Sequence, residues 1–398
     1  MKLQRKPLAL LLLIGFGHAL AATPAPELPP DEIVARVLRG NPGVQAAASQ
    51  IRVEEANRSR LEAGNYEWNV RLGGQQRRVR PASAGDEQFN EWNAAIERPL
   101  RLPGKGALDA ELGAGGVALA ETAYGDTLHE SSRSLLKLWF AWLKESASAS
   151  QWREQAALLG KQNAAVTRRQ QLGDAARLDS VQSEAALAQA EAQLAQASVR
   201  QQTAGEDLRR RFPGLPVVAP AALSEPAAIA GSEEEWVNAL LEHSHELQLA
   251  RQEAKQARVF AGRSSHDRLP DPTVGLQVSR ERAGEERIIG AYVSIPLPGT
   301  ARRASSDAAL AMADGAARRE AAAQQKITAE AVALYQSAQA AVASWQASRH
   351  AGERLGRAAE MTARAYQLGE GSLSDLLTAR RLANEAQLAS RLAQLDAL

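Results

Sequence analysis

The sequence predicts a mainly α-helical protein with short β-hairpins, built as two tandem repeats in which each hairpin leads into a long helical hairpin. Three observations carry this reading: where proline is missing, where glycine interrupts the helical stretches, and where apolar residues alternate. Of the 17 prolines in 398 residues, none falls between Pro103 and Pro213 and none follows Pro298. Both intervals are rich in Ala, Gln, Glu, Arg and Leu, which favour helix, whereas an interior proline costs about 3 kcal/mol. Leu187, Ala190, Leu194, Ala197, Gln201, Ala204 and Leu208 alternate by three and four, and Leu388, Leu392 and Leu395 keep that spacing. Such a seam fits close helix pairing, and simple helix propensity would also produce part of it.

Each interval has one break, Gln171-Leu172-Gly173-Asp174 in the first and Gln367-Leu368-Gly369-Glu370 in the second. An aspartate follows each glycine by six positions, Asp179 and Asp375, and both glycine and aspartate recur after 196 residues. A period near half the chain points to an internal duplication. Other landmarks recur in order: Trp68–Leu72 with Pro272–Leu276, Ile96–Leu100 with Val293–Leu297, and Pro103-Gly104 with Pro298-Gly299.

The repeats are assigned to residues 31–212, with strands at about 68–76 and 89–98, and 233–398, with strands at about 273–282 and 286–295. A linker at 213–232 joins them. Val274, Leu276 and Val278 alternate with polar or small neighbours, as do Ile289, Ala291, Val293 and Ile295 in the following strand. Trp68, Val70 and Leu72 and then Trp92, Ala94 and Ile96 repeat the pattern in the first hairpin. This alternation suits lipid on one side and water on the other, or equally a half-buried soluble sheet.

Lys2, Arg5 and Lys6, the apolar run Leu8–Phe16 and Ala19-Leu20-Ala21 fit a secretory signal ending at residue 21, followed by an N-terminal linker at 22–30. No later stretch approaches the roughly 18 to 20 apolar residues of a spanning helix. With 47 basic and 46 acidic residues and no long basic block, the chain lacks the sequence mark of a nucleic-acid binder. The absence of cysteine removes disulfides, thiolate metal sites, catalytic thiols and lipobox acylation.

Enzyme and cofactor motifs also fail. Gly113-Ala114-Gly115-Gly116-Val117-Ala118 has dinucleotide-loop spacing but no preceding strand, and Gly104-Lys105-Gly106 lacks the rest of a phosphate loop. His243 and His245 are two apart, on different faces of a helix. No catalytic, cofactor-binding or metal-binding residue is therefore assigned.

Geometry narrows the architecture. A helix from Lys105 to about Gln170, at about 1.5 Å per residue, is roughly 99 Å long. Four apolar-faced strands are too few for a single-chain barrel, which starts at eight, so an exported chain of this kind needs partners to cross lipid. The duplicated order of elements, the strand-to-helix prolines Pro99 and Pro296 and the paired Gly-x5-Asp turns resemble the TolC-like outer-membrane efflux proteins across nearly all of the mature chain.

The resemblance implies a mainly α fold with transmembrane β, a homotrimer whose twelve strands form a barrel and whose helices form a tunnel into the periplasm. It implies a passive, non-enzymatic exit duct without a cofactor, working with a periplasmic adaptor protein and an inner-membrane efflux pump. It also places Asp179 and Asp375 at the periplasmic aperture, and Leu172, Gly173, Leu368 and Gly369 at adaptor-docking tips. At the aperture those carboxylates would have Arg380 and Arg381 as possible basic partners; alternatively Asp179 and Asp375 stabilise their helix N-termini, and the leucines simply close their own turns. The segment Arg98–Lys105 is further similar to the heavy-metal branch of that family, the cobalt–zinc–cadmium systems. The departures are Gly113, Gly115 and Gly116, expected to interrupt the first long helix, and Leu269-Pro270-Asp271-Pro272, which has no proline counterpart before the first strand. A periplasmic adaptor or secreted coiled-coil protein is the competing class, since it shares the signal and the long helices.

Overall fold

The computed structural model describes residues 25–80 and 85–398, so the expected signal segment lies outside the described residues. The chain runs through α1 (Asp31–Arg39), α2 (Pro42–Ala63), β1 (Asn69–Val79), β2 (Glu87–Pro99), α3 (Lys105–Gln171) and α4 (Arg177–Arg211). The order then recurs as α5 (Glu233–His243), α6 (His245–His266), β3 (Thr273–Glu281), β4 (Glu286–Ser294), α7 (Thr300–Leu368) and α8 (Leu373–Ala397). Local chemistry explains the starts. Asn41 accepts from the Gly43 N–H ahead of α2, Ser232 and Glu235 form a capping box on α5, and Ser244 and Ser372 cap α6 and α8. His243 and His245 thus belong to two helices, divided by the Ser244 cap, rather than to two faces of one.

The first hairpin is longer than the sequence suggested, because β1 continues past Gln76 through Arg77–Val79, opposite Glu87–Phe89. The four strands form one antiparallel sheet in the order β1-β2-β3-β4. Its central pairing joins the two repeats: Pro99 lies opposite Thr273, Ile96 opposite Leu276 and Trp92 opposite Arg280.

Packing divides the chain into two units, and each draws on both repeats. Of the described residues, one contains 25–37 with Phe140–Ala227 and Trp345–Leu398, while the other contains those of Leu38–Trp139 and Ala228–Ser344. In the first unit, Ser183, Ala190 and Ala197 are buried on α4 at intervals of seven. Ala156, Leu159 and Ala190 form a core cluster joined by Trp152, Leu187 and Leu194, and the polar step at Gln201 is satisfied by donation to Ser146 Oγ at 3.1 Å. The second unit repeats the device on α6, where Leu247, Ala254 and Ala261 are buried at the same interval. Small residues on a strict seven-residue repeat let helices approach closely along one seam.

The expected interruption of α3 does not occur, since the helix is continuous through Gly113, Gly115 and Gly116. These glycines serve packing. A Cβ at Gly113 would lie 2.9 Å from the Arg58 Cα on α2, and one at Gly116 would lie 2.9 Å from the Glu54 carboxylate. Tertiary contact offsets the helix cost of glycine, which is about 1 kcal/mol each.

The seam gives a direct test. Ala197 is fully buried, so Ala197→Leu should cost about 1–3 kcal/mol by overpacking, read as a lower midpoint of the helical circular-dichroism signal on heating. An unchanged midpoint would remove the close-packed seam.

Candidate functional site

The sheet register sorts every strand residue onto one of two faces. On one face Val70, Ile96, Leu276 and Ala291 lie in a row, followed by Leu72, Ala94, Val278 and Ile289. A third row adds Trp92 beside Gly74 and Arg280, and Val274 pairs with Val293 at the other end. No described element covers this face: Leu72 is 77% exposed and Ile289 72%. The Arg98 guanidinium stacks on the exposed Trp68 ring at 5.5 Å, beside the Val274 end.

The other face is polar and internally bonded. Glu91 is buried and accepts from Gln75 Nε2 at 2.8 Å, from Arg77, and from the Arg282 backbone N–H at 3.2 Å. Arg77 also reaches Glu281 at 3.0 Å. Closer to the helices, Glu97 takes Arg71 at 2.8 Å and the Tyr292 hydroxyl. The side that alternation left undecided is thus a hydrogen-bonded polar surface backing an exposed apolar one.

At the strand-to-helix junction, Pro99 ends β2 and the Leu100 N–H donates to the Pro272 carbonyl at 2.7 Å. Proline has no N–H for further pairing, so the chain turns there into α3. Pro296 lies between the end of β4 at Ser294 and the start of α7 at Thr300. Beside Pro99 sits a network absent from the sequence reading. Lys105, 1% exposed, points its Nζ at Asp271 Oδ1 (2.9 Å), Asp267 Oδ1 (3.0 Å) and the Leu269 carbonyl (2.8 Å). Three acceptors match the three ammonium protons.

Asp109 takes Arg263 at 2.5 Å and Arg101 at 3.6 Å, and Arg263 also pairs with Asp267 at 2.6 Å. Asp271 accepts from the Leu102 N–H and, at 2.8 Å, from the Tyr66 hydroxyl. Tyr66 thereby fills the place that lacked a proline counterpart. Burial opposes the charge on Asp271, yet Leu102 N–H, Lys105 and Tyr66 hold its carboxyl below the usual range; Asp267 is lowered likewise against burial by Arg263 and Lys105. Burial, then the bond to Asp271, pushes the Tyr66 hydroxyl up to about 12. Lys105 and its acceptors are more than 160 positions apart in sequence, so no local spacing could reveal them.

The two glycine breaks have the same geometry. Gly173 and Gly369 have φ of 82° and 79°. Asp174 N–H bonds to the Arg169 carbonyl and Gly173 N–H to that of Gln170, while Glu370 and Gly369 bond to Ala365 and Tyr366 in the same way. This is the Schellman arrangement, which needs a left-handed residue. Leu172 and Leu368 project into solvent at 68% and 69% exposure rather than closing their own turns. Arg169 links the breaks, reaching Asp174 at 2.9 Å and the Tyr366 hydroxyl at 3.3 Å, above a core of Val166, Leu373 and Leu376.

Asp179 lies in the first turn of α4, whose N-cap Ala176 offers no side-chain bond. Asp375 is engaged by its own cap, accepting from the Ser372 hydroxyl at 2.6 Å, while its N–H donates to that oxygen at 3.1 Å. Within one chain neither Arg380 nor Arg381 forms an ion pair with Asp375 among the described residues. Arg381 pairs with Glu385, and Arg380 is partly buried with its Nη1 unbonded, so burial depresses its pKa. Among the described residues no group of three His, Asp or Glu side chains is placed to hold a metal ion, and no helix is long and apolar enough to cross a membrane.

In sequence, the chain matches no family model and no curated protein. In structure, it is similar to the outer membrane protein VceC of Vibrio cholerae, with a TM-score of 0.72 at 17% identity over 92% of each chain. It is also similar to a membrane protein of Pseudomonas aeruginosa, with a TM-score of 0.76 at 15% identity over 96% of this chain and 98% of that one. A third likeness is to the open state of the Neisseria gonorrhoeae MtrE outer membrane channel, with a TM-score of 0.73 at 17% identity over 94% and 86%. The chain has the fold of these outer-membrane proteins. The likeness covers 92% to 96% of this chain, and the mainly helical, TolC-like fold expected from the sequence is the observed one.

Two outcomes follow from the junction. Lys105→Met leaves the Asp271 carboxylate without its cation and should destabilise the protein by about 3 kcal/mol, measured by urea unfolding; Asp267 contributes less because it reaches solvent. The Tyr66 contribution is complete below its unfolded pKa of 10.0 and is lost as pH rises toward about 12. The stability gap between wild type and Tyr66→Phe should therefore be constant from neutral pH to about 10 and close by about 12, and a gap independent of pH would dismiss the hydrogen bond as its source.

Proposed function

We propose that this protein is the outer-membrane channel of a tripartite efflux system, a passive duct for cargo delivered by an inner-membrane pump through a periplasmic adaptor. The observation that carries this reading is the amphipathic four-stranded sheet, with β1 and β4 as open edges and an uncovered apolar face. An open edge exposes unpaired backbone groups, which lipid does not tolerate. Pairing β4 of one copy with β1 of the next satisfies both edges, and three copies give twelve strands, a number that a spanning barrel can close. The apolar face then meets lipid and the Glu91 and Glu97 networks line the lumen. Fold likeness to outer-membrane proteins supports the same location, with the helices continuing into the periplasm.

The exposed Leu172 and Leu368 beside rigid Schellman turns suit insertion into adaptor grooves. Asp179 and Asp375, repeated in three copies, would ring the periplasmic aperture with carboxylates that favour cations. In the closed arrangement Asp375 would remain bonded to Ser372, so capping and gating share one side chain. Heavy-metal cations are the proposed cargo class, on the strength of the Arg98–Lys105 resemblance and the acidic aperture. They would be conducted through weak sites, because conduction requires release.

Full-length protein in planar bilayers should form cation-selective pores as a trimer, and Asp179→Ala with Asp375→Ala should lower cation selectivity at least twofold at low salt, where screening is weak. Unaltered selectivity would remove the aspartates from the aperture, and absence of any conductance would remove the duct itself.

A further inference from the structure

All five strand carboxylates, Glu87, Glu91, Glu97, Glu281 and Glu286, fall on the polar face of the sheet. Four of the six strand arginines, Arg78, Arg98, Arg280 and Arg287, fall on the apolar face. That face therefore carries four cations and no anion. Arg98 sits with Trp68 at the end nearest the helices, while Arg280 and Arg287 mark the opposite end beside Trp92, and Arg78 lies farther out on β1.

Two like-charge pairs across β3 and β4 show the asymmetry. Glu281 lies directly opposite Glu286 on the polar face, and each is neutralised, the first by Arg77 and the second by Arg282. One residue away on the other face, Arg280 lies directly opposite Arg287. Neither forms an ion pair among the described residues, and Arg78 meets only the Gln88 amide. Like charges opposed across strands destabilise a sheet unless something neutralises them. Among the described residues that counter-charge is present on one face and missing from the other.

We infer that Arg280 and Arg287, with Arg78 above them, bind the phosphate groups of a phosphorylated glycolipid in the outer leaflet. The inference rests on the membrane reading given above, under which the strand tips opposite the helices reach that leaflet. Guanidinium forks match phosphate oxygens in bidentate geometry, and the apolar rows directly below would receive the acyl chains of the same molecule. Trp92 at the boundary suits the interface between head group and chain. A soluble anion would gain nothing from the apolar rows, and an acidic protein would have to displace lipid to reach them, so both the charge and its position favour a lipid.

The test uses full-length protein in phosphatidylcholine vesicles containing either bisphosphorylated lipid A or its dephosphorylated form. After flotation, detergent extraction and affinity purification, wild type should retain the phosphorylated lipid at least tenfold over the dephosphorylated one. Arg280→Gln with Arg287→Gln should lower retention by about tenfold, whereas Arg71→Gln on the polar face should not. Arg287→Glu gives Arg280 a cross-strand partner, so it should lose retention while keeping or raising the unfolding midpoint, which separates lipid binding from folding. Protein that floats with the vesicles yet retains both lipids equally, or a double glutamine variant that retains as much as wild type, would overturn the inference while leaving the membrane reading intact. Protein that never floats would overturn both.

Discussion

A single buried ammonium group holds the two repeats in register. Lys105 opens α3 in the first repeat, and all three of its acceptors, Asp267, Leu269 and Asp271, belong to the turn between α6 and β3 in the second. Burying a lysine is costly unless its protons are all accepted and its charge is matched, and here both conditions hold. The carbonyl of Pro272, next to Asp271, accepts from Leu100, and Thr273 pairs with Pro99, so the cluster sits where the β2–β3 pairing begins. A shift of one residue in that pairing would turn every strand side chain to the other face. The charge cluster thus secures the amphipathic character on which the sheet's function depends.

The two faces of the sheet solve different problems. The polar face satisfies itself, with Arg77 shared between Glu91 and Glu281 and Glu97 bonded by Arg71 and Tyr292. No described element covers the apolar face, whose Leu72, Leu276 and Ile289 stand exposed and would gain stability if an apolar medium covered them. Charge follows the same division, since the carboxylates lie with the internal network and the unmatched arginines at the margins of the apolar surface.

The helices are economical in a different way. Alanine or serine at seven-residue intervals on α4, and alanine on α6, replaces the large apolar core that the low aromatic content could not supply. The same closeness explains why Gly113 sits inside a continuous helix: a side chain there would collide with the α2 backbone at Arg58, while one at Gly116 would displace the Glu54 carboxylate. Local propensity marks them as breaks, and tertiary contact makes them part of the packing. At the Schellman turns the two levels agree, because the positive φ at Gly173 and Gly369 is both a local requirement and the means of presenting Leu172 and Leu368.

Periodicity and punctuation in the sequence determined the long helices, the four strands and the glycine turns, because each follows from interactions within a few residues. The alternation at Val274–Val278 and Ile289–Val293 fixed which side chains share a face. Only the tertiary structure decided which partner each face meets. The Lys105 cluster, the Glu91 network and the Arg280–Arg287 opposition join residues from different strands or from turns far apart in the chain. Coulomb attraction and hydrogen bonding act through space, and a sequence pattern records neighbours only along the chain. The sequence therefore specified the pieces and their polarity, while three-dimensional packing selected the pairs that neutralise charge and left the apolar face uncovered among the described residues.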